Sequence, residues 1–476
     1  MEDNTGILTI NDFRGGIIAE GRRGPRGASK FVKGLDIRTG ENVLQCQQAL
    51  KKDSGTTVTD LVLVFVSASD GNKYAFGDSG KIYRKSAGTW SLAYTDADGR
   101  ISGAVEYKST TGVWLMYATQ TKFKKILLSS AGSGSWSTPT TVGTFTNGVA
   151  GDFHTMRDAI GTVIINDGDI LALYDFEDAF NNAALRMPTG TKGRCIADRK
   201  NYVYIGDKNN VLKKGLLIEW DRLADSWLDK EDAKGWGVNA MDWFEAGALL
   251  QVGNNGQLKY FNLSTISNFR SIPGTSQANP EAVCTYNELI HFGMTGGTKD
   301  GIYSVGRLDN NDPVSVALEY IPSHGKTTGC EIGALTQDGD DLYVSWKDGA
   351  TYGIDVIDHA NKAVGTYESL RMNMGKPGID KLIEYIKLTI LDMPVGTSVK
   401  VEWKATQDGY GTWKSAELAD GSLVSGVAEE EDEGSKIIYK AGGQGEEYEV
   451  RLTLTPSGNA TPKVLSINTM FQFLGI

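Results

Sequence analysis

Histidines, cysteines and carboxylates are the side chains that would do chemistry in this chain, and the first two are scarce. The four histidines, His154, His291, His324 and His359, stand far apart. None falls in HExxH or another spacing that would bring two imidazoles to one metal. His291 lies inside an apolar run that reads as a strand, where a packed sheet histidine is expected. Cys46, Cys195, Cys284 and Cys330 show no CxxC spacing, and four thiols in 476 residues make no disulfide framework. They fit synthesis in a reducing cytoplasm. No GxSxG, phosphate-binding loop or dinucleotide fingerprint occurs. Gly293-Met294-Thr295-Gly296-Gly297 is glycine-rich, but no helical pattern follows to cradle a phosphate. No cofactor or metal is expected.

Carboxylates are abundant. A propeller glycoside hydrolase would need two of them facing each other across a sugar, and Asp152, Asp158, Asp198 and Asp242 are candidates. Their spacing selects no pair. The stretch Thr406-Gln407-Asp408-Gly409-Tyr410-Gly411-Thr412-Trp413 is loosely similar to the aspartate-box turn of sialidases, with the glycine displaced by one position. Glu429-Glu430-Glu431-Asp432-Glu433 reads as a solvated loop. Positive charge gathers in one place. Arg14, Arg22, Arg23, Arg26, Lys30, Lys33 and Arg38 stand against Glu20 and Asp36, a local net of +5 that leaves −16 on the rest of a chain of net charge −11. This stretch has too little apolar surface to pack by itself. It is the candidate assembly arm, ordering on a neighbouring copy or an acidic polymer, with a solvated tail as the alternative. Removing residues 1–38 is expected to weaken assembly and leave the subunit folded.

The elements that would position these groups are hairpins. In 199–215, Tyr202, Tyr204 and Gly206 alternate with Val203 and Ile205. Asp207-Lys208-Asn209-Asn210 then supplies turn formers and Val211-Leu212 a return strand. Close copies are Tyr74–Tyr83 and Leu249–Leu258, and weaker ones cover 114–127, 163–173, 289–305 and 342–354. The apolar residues before the turns are Phe76, Tyr117, Ile165, Ile205, Val252, Phe292 and Val344, spaced about 40 to 52 residues apart. That period, with four short strands per unit, predicts a β-propeller of about seven blades. Trp90, Trp136 and Trp227 follow small-residue turns and suit plugs between wedge-shaped sheets. Asp175–Met187 alone has helical periodicity and predicts a helix on a connecting loop. Asn42–Leu50 reads as a strand able to close the ring.

Glycine at 58 residues is about 12%, above the usual ~7%, while proline at 11 is scarce. Turn-rich folded protein is expected, not linker. No run approaches the ~18 apolar residues of a membrane span, and Met1-Glu2-Asp3-Asn4 does not begin a secretory signal. The acidic balance argues against a general nucleic-acid binder. A turn cluster at Met374-Gly375-Lys376-Pro377-Gly378 precedes period-two strands through 376–476, which predict an antiparallel β-sandwich. The expected division is an arm and closing strand over 1–56, a propeller over 57–375 and a sandwich over 376–476, all-β throughout.

The chain opens on Asn11-Asp12-Phe13-Arg14-Gly15-Gly16 and continues through Gly34-Leu35-Asp36-Ile37-Arg38-Thr39-Gly40. It closes on Thr461-Pro462-Lys463-Val464-Leu465-Ser466-Ile467 and Phe471. In these ends and the rhythm between them it resembles structural proteins of tailed bacteriophages, in particular the nozzle or hub proteins of short-tailed phages. The resemblance implies a non-enzymatic virion component, made in the host cytoplasm. It would stack as a hexameric ring of copies of itself among other tail or head-to-tail connector proteins. Genomic DNA would pass the lumen without sequence-specific binding, and no membrane would be involved. The alternatives are a receptor- or glycan-binding tail protein, with Trp and Tyr stacking on sugars, and the propeller glycosidase.

Overall fold

The computed structural model describes residues 5–18, 27–39, 42–133, 136–147, 151–159, 161–209, 214–326, 328–408, 411–419, 427–429 and 436–474. Among them the chain is all-β, with one short α-helix, Leu128–Gly132, and one 3-10 turn, Thr406–Asp408. Two compact units divide it, and they do not follow the linear partition into 1–56, 57–375 and 376–476. One gathers residues 51–301 and 322–356; the other gathers 1–50, 302–321 and 357–476.

The unit of residues 51–301 and 322–356 is built around antiparallel sheets, most of them four-stranded and in up-and-down order. Val62–Ser67, Lys73–Gly77, Lys81–Ser86 and Thr89–Thr95 form one, and Gly103–Ser109, Gly112–Ala118, Lys122–Leu127 and Thr140–Thr144 the next. The pattern repeats over 156–186, 191–232 and 238–271, and two more begin with the hairpins at 277–295 and 330–348. Leading strands stand side by side in chain order, and the last, Cys330–Asp338, returns against the first, Val62–Ser67. At that seam Ser345 Oγ donates to the Val62 carbonyl at 2.5 Å. A Cβ on Gly333 would come within 1.9 Å of the same oxygen, so no side chain fits there. Short sheets set around an axis, first against last, are a β-propeller.

A propeller sheet buries both faces, which explains the two-sided apolar strands. Tyr74 and Phe76 pack with Leu115, Tyr117 and Ile126 of the next sheet, while Ala75 and Tyr83 face Tyr343, Ile354 and Val356 of the last. Val203 and Ile205 likewise turn to Ile164 and Leu171, and Tyr204 turns to Val238 and Leu250. The seven turn-anchor residues Phe76, Tyr117, Ile165, Ile205, Val252, Phe292 and Val344 are each fully buried. Each such side chain contributes about 1.5–3 kcal/mol of burial. Trp136 stacks on Tyr94 at 5.7 Å and meets Tyr74 edge-on, and Trp227 packs on the Ile218–Trp220 cluster.

Three local expectations change. Asp175–Met187 is not helical: Asp175 Oδ1 accepts the amides of Glu177 and Ala179 in a turn, and Phe180–Arg186 is a fourth strand paired with Ile170–Tyr174. A carboxylate-braced turn followed by a sheet edge overrides the helical spacing. The 199–215 hairpin turns later than its residues suggest. Tyr202–Asn209 stays extended because the long leading strand Thr191–Arg199 pairs with it through Thr191↔Asn209, and the return strand is Leu216–Trp220; Val211 and Leu212 lie outside the described residues. The closing strand is Gln48–Lys52, beside Thr351–Lys362. Beyond it, the Asp53 and Ser54 amides both donate to the Ile354 carbonyl, at 2.8 and 3.2 Å.

The other unit interleaves distant segments into two sheets. One has the order 5–10, 463–473, 381–392, 436–445, 417–418; the other runs 315–320, 28–33, 365–369, 448–455, 398–405. The stretch expected to be a free arm is therefore partly a sheet interior. Ala28–Lys33 lies between two strands, and Lys30 Nζ sits 2.8 Å from Glu449, a buried carboxylate also held by Lys404 at 2.9 Å. Arg14 pairs with Asp12 and Asp312. Arg38 is buried, donating at 2.8 Å to the hydroxyls of Ser304 and Ser315 and lying 3.5 Å from Glu319. Lys33 is half-buried, and burial lowers its pKa. Arg22, Arg23 and Arg26 lie outside the described residues.

Candidate functional site in the axial pit

The leading strands of the propeller converge on a cavity of about 310 Å³. Phe65, Arg157, Asp198, Asp242, Glu281 and Thr285 line it, each from a leading strand and drawn from five different sheets. Radial convergence makes neighbours of residues separated by about one repeat, because a leading strand carries its side chains along the axis.

Arg157 dominates the electrostatics. Its guanidinium lies 2.8 Å from Glu281 Oε2 and also donates to its neighbour's carbonyl, Met156 O. Glu281 foremost, with Asp242 and Asp198 further off, raises the Arg157 pKa. Asp242 accepts the Trp243 amide at 2.8 Å and the Thr285 hydroxyl at 3.0 Å. Burial nevertheless pushes its carboxyl up, since desolvation outweighs those two donors. Trp243 closes one side, donating through its indole to the Asp198 carbonyl at 2.6 Å beneath the guanidinium of Arg199.

Of the four carboxylates singled out in the sequence, the fold brings Asp198 and Asp242 into the pit and leaves two outside its lining. Asp152 pairs with Lys192 at 2.7 Å in a different cavity, and Asp158 stands exposed beside Arg157. Sequence reasoning missed Arg157 and Glu281. The one available signal was a repeat-to-repeat alignment of leading strands, which hairpin anchors in the second strands do not supply. The aspartate-box-like stretch opens on the 3-10 turn, and Gly409 and Tyr410 lie outside the described residues. Its Trp413 is clasped between Lys404 and Arg451, at 4.4 and 4.5 Å.

The remaining chemical candidates are occupied by the fold. His291 is buried, with Nδ1 3.2 Å from Leu289 O and its ring edge-on to Tyr286. His324 Nε2 approaches Cys330 Sγ at 3.1 Å, a nucleophile–base distance. However, its Nδ1 accepts the Lys326 amide at 3.0 Å, so the proton sits on Nε2 and points at sulfur. Burial pushes the Cys330 thiol up to about 12. A protonated thiol facing an N–H is no activated nucleophile. Among the described residues no group of three or more His, Cys, Asp or Glu could hold a metal ion. No helix there is long and apolar enough to cross a membrane.

No known family model matches this chain, and neither does any curated protein. Among solved structures it is similar to the extracellular domain of a hybrid two-component system from B. thetaiotaomicron, at 13% identity and a TM-score of 0.47, covering 71% of this chain and 43% of that one. It thus spans under half of that protein. The WD40 β-propeller domain of Doa1 gives 12% and 0.46 over 66% of this chain and 97% of that one. The RRP9 WD40 repeats give 12% and 0.45 over 66% and 99%.

Proposed function

We infer that this chain is a non-enzymatic structural component of a bacteriophage virion tail, one subunit of a nozzle or hub ring through which the genome leaves. The observation that carries the reading is how the pit uses its charges. Glu281 is committed to Arg157 and Asp242 to Thr285 and its own chain, which leaves a walled, net-acidic surface that works by shape and charge. The finer architecture fits: about seven blades around the axis, with the two sheets of the interleaved unit facing each other as an antiparallel sandwich. Tyr439, donating to Val399 O at 3.4 Å, links those sheets.

Copies of the chain in a ring, hexameric in the family it resembles, need a heterologous interface between unlike faces. Arg22, Arg23 and Arg26 are the arm residues proposed to meet an acidic face of the next copy, and to set register more than affinity. Adjoining tail or connector proteins would stack above and below, and acidic walls would let DNA slide past. A glycoside hydrolase is the second reading, favoured by Asp198, Asp242 and Glu281 sharing one pit. The deciding experiment measures the mass of the purified chain and its hydrolysis of polysaccharides. A closed ring that the triple reversal R22E/R23E/R26E dissociates supports the nozzle. A monomer whose polysaccharide turnover is lost on Asp242→Asn sinks it.

A further inference from the structure

The strand Thr191–Arg199 carries Asp198 into the acidic pit near its end, while its beginning lines a second cavity of opposite charge. Gly151, Asp152, Phe153, Lys192, Arg194 and Lys208 bound this space, which measures about 80 Å³. A single water needs about 10–15 Å³ of such space, so several waters or one tetrahedral oxyanion fit. Arg100 flanks it, its guanidinium 4.3 Å from the Phe153 ring; that of Arg194 lies 5.4 Å from the same ring.

Two of these cations have their counter-charges. Lys192 pairs with Asp152 at 2.7 Å, and Arg100 reaches Asp78 at 2.9 Å and donates to Gly151 O at 3.0 Å. Arg194 and Lys208 feel only the longer-range charge of Asp152, which is already paired with Lys192. Neither forms an ion pair among the described residues, and Arg194 Nε is buried with no hydrogen-bond acceptor. A buried guanidinium nitrogen without an acceptor needs an explanation, and a place over one aromatic ring at 5.4 Å does not replace an anion. Burial depresses the basicity of both groups, so holding them charged in this place costs the fold.

Strand geometry does not demand an arginine here. Arg194 is the extra residue of a bulge between Gly193 and Cys195, a device that re-aims one side chain. The leading strands at 62–67 and 238–244 have the same irregularity, and there the extra residues are Leu63 and Asn239. Arg194 alone of these three puts a charge at the bulge.

We propose that Arg194 and Lys208, with Lys192 beside them and Arg100 behind Phe153, form a binding site for a phosphate-class oxyanion. A planar fork and two ammonium groups approaching from different strands suit a small anion with several acceptor oxygens. The ligand is either free phosphate or one phosphodiester of a nucleic acid backbone. The site stands whether or not the chain assembles as a ring.

The test uses the full chain and the variants Arg194→Met and Lys208→Met, with Lys108→Gln, an exposed lysine elsewhere, as control. One arm follows inorganic phosphate by 31P line broadening and by the shift of the unfolding midpoint. The other follows a deoxythymidine decamer without terminal phosphates, by anisotropy at rising salt. Wild type and K108Q are expected to bind, and each site variant to weaken binding by about tenfold or more. Response to phosphate alone assigns the free ion; response to the decamer, with a salt dependence that the variants flatten, assigns the backbone. Circular dichroism establishes that the variants fold, and K208M carries the test if R194M does not. If wild type and folded site variants respond alike in both arms, the proposal is overturned.

Discussion

At the residue scale, buried aspartates do more of the structural work than their polarity suggests. Asp60 accepts the Ser79 amide and hydroxyl at 2.7 and 2.6 Å, and Asp355 accepts those of Ser323 at 2.6 and 2.8 Å. Asp96 gathers Lys124 and the Tyr117 hydroxyl, each at 2.7 Å. They brace loops between strands at different places in the repeat, so no spacing advertises them. Asp207 is the exception in being under-satisfied. Its Oδ1 accepts the Leu216 amide at 2.5 Å, and its buried Oδ2 has no partner among the described residues. Burial raises its pKa from 3.8 to about 7. The native state therefore keeps a proton that the unfolded chain gives up, and this group costs stability as pH rises from 3.8 toward about 7. Asp207→Asn, which cannot ionise, should gain of order 3 kcal/mol relative to wild type between pH 4 and pH 8. Urea melts at the two pH values check this; an equal difference at both would mean that Asp207 is not the titrating group.

At the element scale, ring closure rests on the short segment after the closing strand. Asp53 gives its amide to Ile354, and its carboxylate accepts the Trp90 indole at 2.6 Å and Lys85 Nζ at 2.7 Å. It joins the first sheet to the last, and its side chain is only 15% exposed. Asp53→Ala would strand a buried indole N–H and an ammonium together. The expected loss is about 2–4 kcal/mol, with amides of the 62–95 and 330–356 sheets gaining hydrogen exchange ahead of the others. Uniform acceleration across all sheets would mean that the seam is not a separable weak point. The phage-like end motifs also act at this scale. Gly16, at φ +65°, lies where a Cβ would come within 2.6 Å of the Val316 backbone, and Phe13 packs edge-on to Tyr367 at 5.2 Å. Arg38 reaches into the Ser304–Ser315 hairpin. These residues hold segments together.

At the scale of the molecule, the chain crosses between its two units several times, and this reverses one expectation. Removing residues 1–38 would delete Thr5–Ile10 from one sheet, Ala28–Lys33 from the interior of the other, and one cationic partner each of Glu319 and Glu449. The truncated chain should lose the cooperative unfolding of the interleaved unit, where the sequence suggested an intact subunit. Limited proteolysis and calorimetry decide: two preserved transitions would show the segment to be dispensable.

The propeller was legible because each hairpin announces itself locally. Turn chemistry follows apolar residues on both parities, and a sheet packed between two others needs both faces apolar. His291 as a sheet histidine was legible for the same reason, and so was the existence of a closing strand, although it runs Gln48–Lys52 and not over 42–50. Composition could not reveal the meeting of Arg157 with Glu281, 124 residues apart, or the sharing of one carboxylate, Glu449, by Lys30 and Lys404. Such encounters depend on which strands reach the axis and which distant segments share a sheet. Charge density alone made 14–38 look like a free arm; pairing with carboxylates from 312 to 449 buries part of it, and only the tertiary structure brings those partners within reach.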